Sequence, residues 1–133
     1  MAKMCPVVHF EMPYDDRARM AKFYQSAFGW QSQMLGEDMG NYVLATTTEI
    51  VDCVPKEPGV INGGFFPRNP DRPGQYPSIV IAVDNIRTMM KKVVTSGGEV
   101  LGEPMMIPGV GDYVAFLDSE GNRASMLQPI PRT

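Results

Sequence analysis

The sequence has very little of several residue types on which common functional sites depend. Among its 133 residues there are one histidine, one tryptophan and two cysteines. A single histidine excludes a metal site built on a histidine pair within one chain. Cys5 and Cys53 lack the CxxC spacing of metal and redox motifs. We therefore expect two reduced, buried thiols, as is usual in a cytoplasmic protein.

Long apolar runs and clusters of basic residues are also missing. No segment stays apolar over the roughly 20 residues of a bilayer-spanning helix, and the first residues lack the pattern of a signal peptide. The formal net charge is −3, with 44% hydrophobic and 20% charged residues. This ordinary globular composition predicts a cytoplasmic protein with neither a nucleic-acid partner nor a membrane partner.

The most informative feature that is present is an internal repeat. Each half of the chain reads as a strand, an acidic turn, an amphipathic helix, a glycine stop and further strands. The aligned positions are Asp15 with Asp84, Met20 with Met89, Lys22 with Lys91 and Gly29 with Gly98. The sequence therefore predicts two tandem βαβββ modules within one domain covering residues 1–133. The first module spans about 1–66, a Pro-rich exposed linker spans 67–77, and the second module spans about 78–133.

Periodicity predicts helices from Arg17 to Phe28 and from Ile86 to Ser96, with Asp15 and Asp84 as their N-caps. The first helix should bury one apolar face, formed by Met20, Phe23, Tyr24 and Phe28. Strands are predicted at 7–12, 41–45, 60–66, 78–83, 112–116 and 123–128. The segment 105–112 is predicted to be a loop, either a plain hairpin connection or a cover for a ligand. The Gly63-Gly64 pair predicts a bulge or a close backbone approach.

Two such modules predict the α+β class: a curved, partly closed mixed β-barrel with its helices outside. Strand alternation then places His9 and Glu11 inside, if His9 points inward. An inward histidine and glutamate are costly to leave unpaired, so a cleft or a hydrated hollow is expected around them.

Short motifs in both halves support a family resemblance. The segments HFEM at 9–12, AKFY at 21–24 and FGW at 28–30 are followed by FLDSEGN at 116–122. In this order they resemble the glyoxalase/bleomycin-resistance/dioxygenase (vicinal oxygen chelate) superfamily. NGG at 62–64 and PGVG at 108–111 are similar to a branch of lactoylglutathione-lyase-related proteins.

The resemblance implies where a metal would be held. In metal-dependent members, His and Glu residues from the first and last strand of each module hold a divalent ion. Carried over to this chain, the four ligand positions are His9, Gly64, Ser78 and Ser125. Only His9 suits zinc, nickel or iron. We therefore expect the usual site to be absent and predict no cofactor, with a metal held weakly by His9 as the alternative.

Three interpretations of His9 remain open. It is a structural residue hydrogen-bonded to Glu11 or to a backbone carbonyl, or an acid/base residue acting with Glu11, or a remnant metal ligand. In the second case Glu11 would raise the pKa of His9.

Five further positions are candidates for ligand binding. They are Tyr42, Gly64, Ser78, Tyr113 and Ser125. The two tyrosines occupy equivalent strands, which indicates scaffold symmetry first and hydrogen bonding to a ligand second. Trp30 is expected in the core or at a dimer contact.

Three functions remain open at this point. The protein is a glyoxalase-like enzyme, lyase- or dioxygenase-related, that acts on a small molecule with a degenerate metal site. Alternatively it is a metal-free sequestration protein of the bleomycin-resistance type, or a non-catalytic scaffold. Standard glyoxalase I activity is not expected, because the ligand set is incomplete. The resemblance also implies a homodimer, with a small-molecule ligand in the barrel cavity.

Overall fold

The computed structural model describes residues 4–131 apart from positions 53, 56, 58, 73 and 74. Within that part of the chain the helices are α1 (Arg17–Phe28) and α2 (Ile86–Thr95), and a short 3-10 helix spans Glu37–Met39. The strands of the described residues are β1 (Val7–Tyr14), β2 (Gln31–Met34), β3 (Val43–Thr46), β4 (Ile50–Val51), β5 (Val54–Pro55), β6 (Asn62–Pro67), β7 (Ser78–Ala82), β8 (Glu99–Ile107), β9 (Gly111–Leu117) and β10 (Arg123–Pro129). No helix in the described ranges has the length and apolarity needed to pass through a membrane.

The chain divides into two compact units. Among the described residues, the first module comprises 9–77, and the second comprises 4–8 together with 78–131. The strand order is β2-β3-β6-β1 in the first module and β7-β10-β9-β8 in the second. One parallel pair lies in each module, β1 with β6 and β7 with β10. The predicted α+β class and the pair of βαβββ modules are confirmed, and β4 and β5 add a short ribbon to the first module.

The core of the first module lies between its sheet and α1. Its buried residues are Tyr14, Val43, Ala45 and Phe65, with Phe10, Met12, Met20, Tyr24 and Trp30 packed against them. The rings of Trp30 and Tyr24 stack with their centroids 4.6 Å apart. The prediction that Trp30 packs in the core is therefore confirmed.

Helix α1 has the predicted bounds, but it does not bury the whole predicted face. Met20 and Tyr24 contact the core, whereas the side chains of Phe23 and Phe28 are 57% and 64% exposed. The two exposed rings contact each other and Tyr24 along the helix surface. The apolar stripe is wider than the surface that the sheet covers.

The N-caps are Asp16 and Asn85, so the prediction of Asp15 and Asp84 was wrong by one residue. Each cap accepts a hydrogen bond at 3.0 Å from the amide three residues later, which is the geometry that an N-cap requires. Asp15 instead forms an ion pair with Arg68 at 3.0 Å. Charge alone could not separate two consecutive acidic residues.

The second module has its own core around α2. Its buried residues are Val83, Ile86, Val114 and Met126, with Cys5 among the half-buried groups packed on them. Cys5 forms no disulfide with the described residues, and Cys53 lies outside them. The predicted loop at 105–112 is much shorter in the structure, because β8 continues through Ile107 and β9 begins at Gly111. Only 108–110 form the turn of a plain hairpin.

Two connecting segments are organised by single side chains. In the turn before β10, Asp118 accepts hydrogen bonds from the amides of Glu120 and Asn122 and from the Asn122 side chain. The bond from the Asn122 side chain, followed by the two amide bonds, lowers the pKa of Asp118. In the segment predicted as an exposed linker, Gln75 is buried and bonds to the backbone of Asn69 and Arg72.

Candidate functional site

The alternation of β1 separates a polar face from the core face. Phe10, Met12 and Tyr14 point toward the core of the first module, so His9 and Glu11 lie on the opposite face of the sheet. Both are half-buried. In the parallel neighbour β6, the partner of Glu11 is Gly64.

Tyr42 joins the two polar side chains of β1. It precedes β3, and its hydroxyl donates a hydrogen bond to Glu11 Oε2 at 2.9 Å. The same hydroxyl oxygen lies 2.9 Å from His9 Nε2. Because the hydroxyl has one hydrogen and donates it to Glu11, His9 Nε2 must carry a proton and donate to Tyr42. The three residues form one continuous hydrogen-bonded chain.

Gly64 makes room for the ring of Tyr42. A Cβ atom at position 64 would overlap the Tyr42 ring and its hydroxyl, and a Cβ at Gly63 would overlap the ring of Phe10. The pairing of β6 with β1 is regular from Asn62 to Pro67, so the predicted bulge is wrong. The close approach is real, but side-chain rings make it, one on each face of the strand.

Burial keeps His9 neutral near pH 7. Its half-buried position lowers the pKa of the imidazole below its usual value of 6.5, and the charge of Glu11 opposes this shift without cancelling it. The predicted rise in the pKa of His9 is therefore wrong, since desolvation outweighs the attraction of the carboxylate. The prediction of a direct bond from His9 to Glu11 or to a backbone carbonyl is corrected as well: the partner of His9 is Tyr42.

The second module has a simpler polar pair at the equivalent place. The hydroxyls of Tyr113 and Ser125 lie 2.6 Å apart, and Ser125 is only 3% exposed. The β-strand partner of Ser125 is Val80, at the position that Glu11 has in the first module. The second module therefore has no carboxylate at this register.

The predicted site residues fall into two groups. His9, Glu11, Tyr42 and Gly64 come together in the first module, while Tyr113 and Ser125 pair in the second. Ser78 begins β7 and is half-buried. What the sequence missed was the contact between Tyr42 and Gly64. The sequence signal for this contact was the pair Gly63-Gly64 within a predicted strand, in the same module as the strand predicted to contain Tyr42.

The first module does not fit the ligand set of the metal-dependent relatives. Within the described residues, no three His, Cys, Asp or Glu side chains lie where they could share one ion. Two further observations concern the chemistry of the donors. The phenol of Tyr42 fills the space at Gly64 where the resemblance places a carboxylate, and His9 Nε2 is engaged with that phenol. The donors left over are too few for a borderline metal.

Comparison with known proteins assigns the chain to a family. Residues 7–48 match the model of the bleomycin resistance protein-like N-terminal family. A glyoxylase-like domain-containing protein of Didymella fabae is 30% identical over 114 residues, which cover 84% of each chain. The chain belongs to the glyoxalase/bleomycin-resistance (vicinal oxygen chelate) superfamily.

Two further relatives show how far the likeness extends. CFP32 of Mycobacterium tuberculosis, named as a candidate glyoxylase, is 32% identical over 72 residues, which cover 54% of this chain but only 27% of that protein. A variant of Streptomyces coelicolor methylmalonyl-CoA epimerase, in complex with 2-nitronate-propionyl-CoA, superposes with a TM-score of 0.69. That match covers 97% of this chain and all of the epimerase at 13% identity, so it shows a shared fold.

Proposed function

We propose that this protein binds a small organic molecule on the polar face of its first module, at His9, Tyr42 and Glu11. The proposal depends on one observation: a single phenol satisfies both polar side chains and fills the position of the missing family carboxylate. A hydrogen-bonded chain of this kind is preorganised for a ligand and needs no ion to hold it together. Membership of a family that includes bleomycin-resistance-like proteins supports a sequestration role.

The hydrogen-bond acceptors on this face indicate the chemistry of the ligand. Glu11 is an acceptor, and a neutral His9 that donates through Nε2 presents Nδ1 as a second acceptor. Leu44 lies on the same face, because it pairs with Gly64, and it is 36% exposed. The proposed ligand therefore has an apolar body and carries an amine or hydroxyl donor.

A ligand screen read through His9 tests this function. Naphthylamines and ortho-diphenols are added to the protein, and the one imidazole signal of the chain is followed by NMR. We expect compounds that shift this signal to bind at least about tenfold more weakly to Glu11→Gln, which loses a charged acceptor. Tyr113→Phe is the matched control, since it removes a phenol hydroxyl from the other module. Compounds that bind equally well to Glu11→Gln, or none that reach His9, would contradict the proposal.

Metal content is the complementary measurement. The protein is dialysed against Ni²⁺, Zn²⁺, Fe²⁺ or Mn²⁺, freed of excess metal and analysed for metal per protomer. We expect well below stoichiometric retention, because the first module presents an incomplete ligand set. Near-stoichiometric metal that His9→Ala abolishes would show that ligands outside this set complete a site.

The continuous hydrogen-bonded chain favours proton transfer as a second candidate function. Tyr42 provides a path for a proton between the His9 imidazole and the Glu11 carboxylate. His9 and Glu11 would then be the acid/base residues of a lyase- or dioxygenase-related enzyme. Deuterium uptake from heavy water into hydroxyacetone, followed by NMR, is the assay. Glu11→Gln and His9→Gln should each slow it by about a hundredfold, whereas equal rates in both variants and in the wild-type protein would exclude the role.

The proposal includes a homodimer located in the cytoplasm. The first module supports pairing between chains because β2 lies at the end of its strand order and all four of its residues are exposed. Unpaired strand edges are commonly covered by a partner chain.

A further inference from the structure

The first module has a hollow on the face of the sheet away from His9. It lies where the end of β1, the first turns of α1 and the segment 75–77 meet, and its volume is about 470 Å³. Its apolar wall is formed by Met12, Met20, Phe23, Tyr24 and Tyr76. This volume lies within the range of pockets that hold small organic ligands. Strand alternation puts Met12 on the opposite side of β1 from Glu11, so the two sites are separate.

Two features of the wall favour an aromatic ligand. Phe23 and Tyr76 are 57% and 72% exposed, so both side chains present aromatic surface beside the hollow. The hydroxyl of Tyr24 has a thioether sulfur, Met12 Sδ, as its acceptor at 3.8 Å. Sulfur is a weak acceptor, so this hydroxyl can bond to a polar ligand atom at little cost.

One charged side chain of the lining, that of Arg19, is suited to an anionic ligand. Four charged residues line the hollow, and three of them have partners. Asp15 pairs with Arg68, and Asp16 caps α1. The side chain of Arg19 makes no hydrogen bond or ion pair with the described residues. A guanidinium that lines an aromatic hollow recognises a carboxylate with two parallel hydrogen bonds.

We propose that this hollow is a second binding site, specific for a small aromatic carboxylate. The aromatic body lies against Phe23, Tyr24 and Tyr76, and the carboxylate pairs with Arg19. The wall behind it is held in place because the buried Gln75 bonds to the backbone of Asn69 and Arg72. This site does not depend on the function proposed for His9, Tyr42 and Glu11.

Calorimetric titration with 2-naphthoate tests the site, with 2-naphthamide as the uncharged analogue. We expect saturable binding of 2-naphthoate and about tenfold weaker binding of 2-naphthamide. Arg19→Gln should weaken 2-naphthoate about tenfold and leave 2-naphthamide unchanged. Arg17→Gln is the matched control: it removes the same charge from the same helix turn, and Arg17 does not line the hollow. It should change neither affinity by more than about twofold.

Two more variants locate the ligand. Phe23→Ala, at a position that is 57% exposed, should weaken the binding of both probes. Tyr42→Phe should leave both affinities unchanged, so this variant tests the two proposed sites independently. No saturable binding of 2-naphthoate at millimolar concentration would overturn the proposal. Equal losses in Arg17→Gln and Arg19→Gln, or loss in Tyr42→Phe, would overturn it as well.

Discussion

At the scale of single residues, Tyr42 determines the character of the first-module site. A hydroxyl is both a donor and an acceptor, so one phenol serves Glu11 and His9 together. Its ring occupies the volume that glycine leaves empty at position 64. Hydrogen bonding and packing therefore depend on the same side chain.

His9 is expected to make stability depend on pH below neutrality. Burial lowers its pKa in the folded protein below 6.5, so the unfolded chain binds more protons in the interval between the two pKa values. This contribution to the free energy of unfolding is complete above pH 6.5 and is lost as the pH falls through the folded pKa. Urea unfolding from about pH 8 to about pH 5 measures the slope, which His9→Gln should reduce.

The imidazole titration gives the folded pKa directly, because the chain has one histidine. Glu11→Gln should lower this pKa further, since it removes the charge that favours the imidazolium. A wild-type pKa at or above 6.5 would show that His9 is better solvated than the structure indicates.

A methyl group at position 64 should disrupt the site. In Gly64→Ala the new Cβ overlaps the Tyr42 ring, so the ring must move away from His9 and Glu11. We expect a loss of about 1–3 kcal/mol in the free energy of unfolding, measured with urea. Gly36→Ala is the control, because φ there is −87° and the nearest atom is a flexible Asp38 carboxylate oxygen at 3.1 Å. If Gly64→Ala and Gly36→Ala lower the free energy of unfolding equally, the Tyr42 ring does not pack against position 64.

At the scale of elements, the two helices begin by the same rule in both modules. Asp16 and Asn85 are equivalent caps, and each accepts from the third amide of its helix. The acidic residue before the first cap has a different contact: Asp15 uses its carboxylate to hold Arg68. The two modules thus share the capping of their helices as well as their topology.

Removing the N-cap side chain should lower the free energy of unfolding more than removing the ion pair does. We expect Asp16→Ala to lower the free energy of unfolding by about 1 kcal/mol, because the Arg19 amide loses its acceptor. Asp15→Ala should cost less than about 0.5 kcal/mol, since both partners of its ion pair are largely exposed. Urea unfolding of the two variants compares them. A larger loss of unfolding free energy in Asp15→Ala than in Asp16→Ala would show that Asp15 is the N-cap.

At the scale of the whole molecule, duplication has produced two modules with unequal polar faces. The first has a carboxylate, an imidazole and a phenol in contact, and the second has a phenol and a serine. At the register of Glu11 the second module has Val80, which is 2% exposed. The two copies share a scaffold but have diverged in chemistry.

The proposed homodimer is checked by light scattering at micromolar concentration. We expect the mass of two chains, because an exposed edge strand such as β2 is commonly covered by a partner. Ser32→Pro, on that edge, should shift the mass toward one chain if the edge forms the contact. A wild-type mass of one chain would exclude the dimer.

The sequence by itself determined the elements that depend on local patterns. Helix α1 was predicted at its observed bounds and α2 within one residue, because apolar spacing and a glycine stop are local signals. The repeat predicted the two modules, and the ordered motifs predicted the family. The strands β2 and β8 were both missed, since neither has a clear alternating pattern.

Only the tertiary structure decided which candidate residues lie together. Position 42 is far from positions 9, 11 and 64 along the chain. Gly64 pairs with Glu11 on one side and with Leu44 on the other, and this pairing brings the start of β3 next to β1 and β6. The direction of the pKa shift of His9 depends on two opposing effects, burial and the nearby charge of Glu11. The spacing of residues along the sequence shows neither the degree of burial nor the distance between the two groups. The exposed side chains that line the outer hollow are unremarkable in the sequence. The proposed site depends on packing, which leaves two aromatic rings uncovered beside the Arg19 guanidinium, and that guanidinium pairs with none of the described residues.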